Sequence, residues 1–310
     1  EREAAEALFL KLGKELAGVS NLWIPFALVS FGLLKKGGAF SMVLPGELFS
    51  TSSAGIVRSE MIRHFDGLQV DLHPRGSFAK ILHDVIVVSG RRCEKEAKDR
   101  EVTFIEHGSN GNRVWTHRIP TSTSCWTPYL LSQRELAAYE TARSFQGMHK
   151  LGDVAKIGVS IVTGANDFFT VDDATLKTYG LEKWAKPLLA KTNDCPGLVF
   201  KPADLTAARK AGKKCWILDF SEDLPDPMKF DGPKQYLKQG NASGLPKRYK
   251  CRIREPWYRV PDVRHDVLML SKRAHQFHRL LLNDAKAHTT DTIYRGRMRE
   301  AFAGHEQSLV

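Results

Sequence analysis

Leu8, Leu12 and Leu16 recur at four-residue intervals and predict a helix over Glu1–Leu16. Phe26, Val29 and Leu33 continue at helical spacing. Asn21 is the expected N-cap, Pro25 is tolerated in the first turn, and Gly37-Gly38 is the stop. Ala39-Phe-Ser-Met-Val-Leu44 then reads as a short apolar strand closed by Pro45. A helix over Ala54–Phe65, an alternating strand over Leu68–Leu72 and a buried strand over Asp84–Ser89 follow. Helix, glycine turn, buried strand and helix make the unit of a parallel α/β sheet. About three strands precede a change of pattern, fewer than such a sheet normally holds, so the unit reads as half of a larger one.

Residues 91–101 are densely charged and read as a solvated loop. Val102–His107 is a short strand and Ser109–Asn112 a turn. Ser132 and Glu135 form a capping box for a helix reaching Arg143. Beyond Gly147 the pattern is of short strands and turns, with helical spacing returning only at Val267–Lys286. The chain therefore divides into 1–100, the far half of a sheet domain, a connecting segment 101–146, and a mixed α+β domain 147–310. No internal repeat appears.

Composition sharpens this picture. With 310 residues, 42% of them hydrophobic, the chain can bury two cores, and no apolar run reaches membrane-spanning length. The charged start Glu1-Arg2-Glu3 is not a secretory signal. Cys93, Cys125, Cys195, Cys215 and Cys251 are scattered and odd in number, the usage of a reduced, cytoplasmic protein without a zinc site. Net charge is +11, and the excess is uneven. Between Lys247 and Arg259 stand Lys247, Arg248, Lys250, Arg252, Arg254 and Arg259 against the single acid Glu255. Clustered cations release counterions from one nucleic-acid backbone, so this stretch reads as a DNA contact or, failing that, as a solvated basic face. From Arg248 to Arg254 the basic residues fall on alternate positions, as on one face of a strand. Aromatics are not interleaved as a row of stacking platforms, which disfavours single-stranded RNA.

Residue types alone give no active site. The chain has no glycine-rich phosphate loop, HExxH or GxSxG. Asp84 has no partner pair for nuclease chemistry, and His275, His278 and His288 lack metal-ligand spacing.

Asn21-Leu-Trp-Ile-Pro-Phe26, followed by Leu33-Leu-Lys-Lys-Gly-Gly38 and a strand ending Val43-Leu-Pro45, resembles the gamma-class N6-adenine DNA methyltransferases of restriction–modification systems. Val57-Arg58 is similar to that family's LR element, and Phe78 to its aromatic ahead of a hairpin strand. Val159–Phe169, with Thr163-Gly-Ala-Asn166, resembles the opening of its target-recognition domains. Arg248–Tyr258 resembles their basic RxPWY segment, and Asn283–Arg295 a later element. The resemblance implies a partial Rossmann-like S-adenosylmethionine (SAM) methyltransferase sheet followed by a target-recognition domain that binds double-stranded DNA.

By the same resemblance Phe26 packs on the SAM adenine, unless it is a plain core residue. Pro45 and Gly46 line the cofactor end of their strand, unless they form an ordinary turn. Phe78 faces the target adenine once it has left the duplex, since chemistry on a base requires flipping; otherwise it is a hairpin core residue. Thr163, Gly164, Asn166, Tyr258, Thr289, Thr292 and Arg295 join Lys247, Arg248, Lys250, Arg252, Arg254 and Arg259 as candidate DNA contacts. The family's SAM glycine loop and its Asn/Asp-Pro-Pro-aromatic catalytic loop are absent from the chain. In the family's motif order both precede Asn21, so the expectation is a piece of a larger enzyme, inactive alone and completed by an upstream half or companion subunit. A DNA-binding specificity module without catalysis is the alternative.

Overall fold

The computed structural model describes residues 21–74, 76–78, 85–273 and 277–310. The helix expected over Glu1–Leu16, the residue Asp84 and the histidine His275 lie outside them. The chain forms two compact units, Glu1–Met148 and His149–Val310.

The first unit is built on α1 (Trp23–Leu33), β1 (Ala39–Pro45), α2 (Gly55–His64), β2 (Phe65–Leu72), β3 (Val85–Arg92), β4 (Asp99–Glu106), β5 (Arg113–Pro120) and α3 (Gln133–Arg143). Helix α1 starts from Leu22 rather than from an Asn21 side-chain cap, because the Asn21 amide donates to Glu47 Oε2 at 2.5 Å. It stops at Leu33, ahead of Gly37-Gly38, because Leu34 is already extended. The Arg92 guanidinium takes up the freed carbonyls of Phe31 and Leu34, a cation at the helix's negative end. The capping box at α3 forms as its sequence pattern requires, with Ser132 and Glu135 bonding reciprocally.

The strands make one five-stranded sheet in the order β1-β3-β2-β4-β5. The parallel unit expected from the element order is interrupted by an antiparallel strand. β3 is inserted between β1 and β2 and runs antiparallel to both, pairing Met42 with Val88 and Val88 with Val70. β2 and β4 are parallel, and β5 returns antiparallel to β4. Thus β1, β2 and β4 point the same way. The charged segment 91–101 is partly strand, and 101–146, expected as a connector, contributes β4 and β5 to this sheet. Leu28, Phe31, Val57, Met61, Phe65, Val88, Phe104 and Trp126 form the buried core between helices and sheet.

The second unit carries β6 (Ala155–Gly158), β7 (Thr170–Val171), α4 (Asp173–Tyr179), β8 (Ala185–Pro187), β9 (Val199–Phe200), α5 (Pro202–Lys210), β10 (Trp216–Leu218), α6 (Asp231–Ala242), β11 (Leu268–Ser271), β12 (Leu280–Asn283) and β13 (Ile293–Met298). A three-stranded sheet runs β7-β10-β8 and a five-stranded sheet β6-β13-β11-β12-β9. Val267–Lys286, expected to be helical, is instead the pair β11–β12. Its two apolar runs are separated by Lys272 and Arg273 and are each short enough to fill a buried strand. Phe169, Trp184, Phe220, Tyr236 and Val260 form the core beside the small sheet.

Candidate functional site

In the first unit, one end of the sheet opens into a cleft of about 990 Å³. Its lining takes residues from the carboxyl ends of all three co-directional strands: Pro45 of β1, Leu72 of β2 and Glu106 of β4. That is where ligands bind in open α/β sheets, because the loops there are free to be shaped while the strands hold them. Pro45, Gly46 and Phe78, far apart in the chain and expected to share one site, all line this cleft. Phe26 does not. It is 66% exposed on α1, in line with exposed Leu22 and Leu33 at helical spacing.

The wall carrying Phe78 is an aromatic stack. His73 meets Phe78 edge to face with ring centroids 5.5 Å apart and lies flat on His107 at 4.6 Å. His107 Nε2 is 2.7 Å from Asp71 Oδ1, which fixes the pair from β2. The opposite wall is polar. Arg113 bonds Glu106 and, through both carboxylate oxygens, Glu135, and lies over the Trp115 ring. Beneath Gly46–Phe49, Arg58 is only 1% exposed. It donates to the carbonyls of Leu48 (2.7 Å), Thr51 (3.0 Å) and Ser124, while burial pushes its pKa down. One buried guanidinium therefore fixes the loop after β1 that floors the cleft.

In the second unit the structure sorts the expected contact residues into two groups. The stretch Arg248–Arg254 is not a strand: Leu245–Lys247 is a 3₁₀ turn and Tyr249–Arg252 one α-helical turn. Lys247, Arg248, Lys250 and Arg252 are exposed on it, whereas Cys251 is fully buried. Arg254 turns inward and donates to the carbonyls of Thr163 (2.8 Å) and Val162 (2.6 Å), and burial lowers its pKa. Arg259 pairs with Glu222. Arg295 is buried, paired with Asp262 and donating to the Asp262 and Arg264 carbonyls. Thr163 is buried and bonded to Asn166, whose amide donates to Asp291 at 3.1 Å. Thr289 is buried against Ser160, and Tyr258 packs between Phe220 and Trp257. Thr292 is exposed.

Gly164 is required by its surroundings. Its φ is +77°, and a Cβ there would lie 2.7 Å from Lys250 Cβ. The TGAN turn is thus the seat of the basic helical turn, not part of its outer face. Sequence spacing missed Tyr249 and Ile253, which stand exposed among the cations. The only advance signal was their apolar character inside a basic run. Among the described residues no group of three or more histidine, cysteine or acidic side chains is placed to hold a metal, and no helix is long and apolar enough to cross a membrane.

Over residues 123–310 the chain matches a methyltransferase family of restriction–modification systems. The chain belongs to the family of the Type II methyltransferase M.Eco57I, C-terminal domain, whose model matches residues 123–310. The Type II methyltransferase M.AccI of Acinetobacter calcoaceticus is 19% identical over 261 residues, covering 80% of this chain and 47% of that protein. The chain thus spans about half the length of that relative. The Type IIL restriction-modification enzyme MmeI, solved in complex with DNA, aligns with 94% of this chain and 38% of its own at a TM-score of 0.50 and 13% identity.

Proposed function

We propose that this chain supplies the distal part of a Rossmann-like SAM domain, together with a target-recognition domain, to an enzyme that methylates adenine N6 at specific sites in duplex DNA. One observation carries the reading: Pro45, Gly46 and Phe78, singled out separately in the sequence, converge on one cleft at the carboxyl ends of three co-directional strands. The cleft fits SAM in kind. Its volume is at the upper end of small-molecule sites, it has apolar walls in Trp23, Phe49 and Leu72, and Glu47 offers a carboxylate to a cationic ligand. When bound, SAM supplies the methyl group. Pro45 and Gly46 border the cofactor, and Phe78 offers a face to a base turned out of the duplex, offsetting part of the unstacking cost of a few kcal/mol.

In the second unit Lys247, Arg248, Lys250 and Arg252 hold phosphates. Arg254, Arg295, Thr163 and Thr289 act as internal struts that shape this surface. The exposed stripe Leu22–Phe26–Leu33 and the outer edge of β1, unpaired among the described residues, favour a further stretch of polypeptide that covers them. Phe26 reaches cofactor only in that completed domain.

The test combines the chain with a polypeptide bearing a SAM glycine loop and an Asn/Asp-Pro-Pro-aromatic loop. Tritium from labelled SAM is expected in adenine of duplex DNA, and Phe78→Ala is expected to reduce it sharply. Absence of transfer to any duplex refutes the enzymatic reading. The alternative, a binding module without catalysis, is favoured by the cation surface standing within the second unit alone. It predicts duplex binding with a steep salt dependence and no methyl transfer in any combination.

A further inference from the structure

Four exposed cations and two exposed apolar side chains share the segment 247–253. Tyr249 is 63% exposed and Ile253 60%. Tyr249 opens the turn and Ile253 follows it as the C-cap, while Cys251 between them is buried. The Lys250 ammonium lies 5.4 Å from the Tyr249 ring. Among the described residues no carboxylate comes within 4.0 Å of Lys247, Arg248, Lys250 or Arg252. Beside Ile253 a notch of about 390 Å³ opens between Val162 and Pro261, lined by the cations Lys250, Arg254 and Arg259 against the single carboxylate of Glu255.

We infer that Tyr249 and Ile253 are base-contacting residues that determine sequence specificity, with the surrounding cations holding the backbone. The inference rests on the duplex-DNA reading of the second unit. Charge selects the occupant: an apolar pair set among four exposed cations repels another basic surface and complements a polyanion that also offers apolar edges. Duplex DNA does both. Its phosphates take the cations without regard to sequence, while thymine methyl groups and base faces accept aliphatic and aromatic side chains.

The turn is also held firmly enough to read a base. Arg254 is fastened to the Val162 and Thr163 carbonyls, and Cys251 Sγ lies 3.9 Å from the Thr163 carbonyl oxygen. The lack of a side chain at Gly164 lets Lys250 seat directly on the turn. The outward side chains therefore have a fixed platform. A merely electrostatic patch would not require one.

The test uses the whole 310-residue chain and a pool of duplexes randomised at internal positions, from which bound DNA is recovered and sequenced. A single fixed duplex of arbitrary sequence is titrated at about 50 and about 200 mM salt. Tyr249→Ala and Ile253→Ala are expected to lose a preference of about 5- to 100-fold at one or two base pairs. Their affinity for the fixed duplex and its salt slope are expected to stay unchanged, and Tyr249→Phe to keep the preference. Arg248→Ala is expected to do the reverse, keeping the preference and lowering the salt slope by about 0.9. Because both side chains are exposed, an unaltered thermal midpoint shows that the variants are folded.

If Tyr249→Ala and Ile253→Ala recover the same sequences as the parent chain, the inference is overturned while the DNA reading stands. A parent chain that binds duplex without preference overturns it as well. If the parent chain retains no duplex, or prefers a single-stranded pool, the DNA reading fails first and the inference with it.

Discussion

Gly164→Ala is expected to destabilise the second unit well beyond an ordinary turn substitution, and Gly180→Ala provides the internal control. Both glycines have left-handed backbone, with φ of +77° and +58°. An alanine at either site bears the same left-handed penalty of about 1–2 kcal/mol. At Gly180, which closes α4, the new methyl meets nothing within 4 Å. At Gly164 it meets Lys250 Cβ at 2.7 Å and Cys251 Sγ at 3.4 Å. Neither atom is the loose end of a long side chain, so the helical turn itself must move, at an overpacking cost of about 1–3 kcal/mol. The excess over Gly180→Ala converts to roughly 5- to 150-fold. Native-state hydrogen exchange on the whole chain reads it, in the amides of residues 160–170 and 245–258. Equal effects of the two substitutions, or unchanged protection around 245–258, would refute the seating of the basic turn on the TGAN turn.

Two further outcomes follow from buried ionisable groups. His288 is buried, and desolvation pushes its pKa down from 6.5 to about 4. Its folded value lies below its unfolded one, so the stabilisation is complete above about pH 6.5 and is lost as pH falls toward 4, by about 3 kcal/mol; urea melts across that window should show the loss, and His288→Gln should flatten it. Arg58→Met removes the donor from the carbonyls of Leu48, Thr51 and Ser124, of which that of Leu48 is left buried. The expected cost is about 1–3 kcal/mol for that buried carbonyl, confined to the first unit, and exchange protection of residues 46–51 measures it.

Much of the first unit was legible because its signals are local. The Ser132–Glu135 capping box, the strand closed by Pro45 and the helix over 54–65 each follow from a few neighbouring residues. Strand direction was not legible from the apolar pattern, and only the resemblance named β3 a hairpin strand. Nothing in the apolar run of β3 states that it runs antiparallel between β1 and β2, since pairing is decided by distant partners. The alternation of cations in 248–254 misled for a related reason. A run this short takes its backbone from tertiary contacts, here buried Cys251 and the clasp of Arg254 on Thr163. Positive charge alone did not separate Arg254 and Arg295, whose donors are spent on carbonyls, from Lys247 and Arg252, which face water. At the cleft, the motifs singled out Pro45 and Phe78, both of which line it. The His73–His107 stack was not, because it joins the end of β2 to the end of β4 across parallel strands.

The division of labour around Tyr249–Arg252 bears on how such a surface diversifies. Its inward residues, Cys251, Arg254 and the opposed Gly164, hold the backbone, while its outward ones contribute almost nothing to folding. On the proposed reading of that surface, mutational drift at the outward positions explores new target preferences with little loss of stability, whereas drift at the inward ones is purged as misfolding before any preference can be tried.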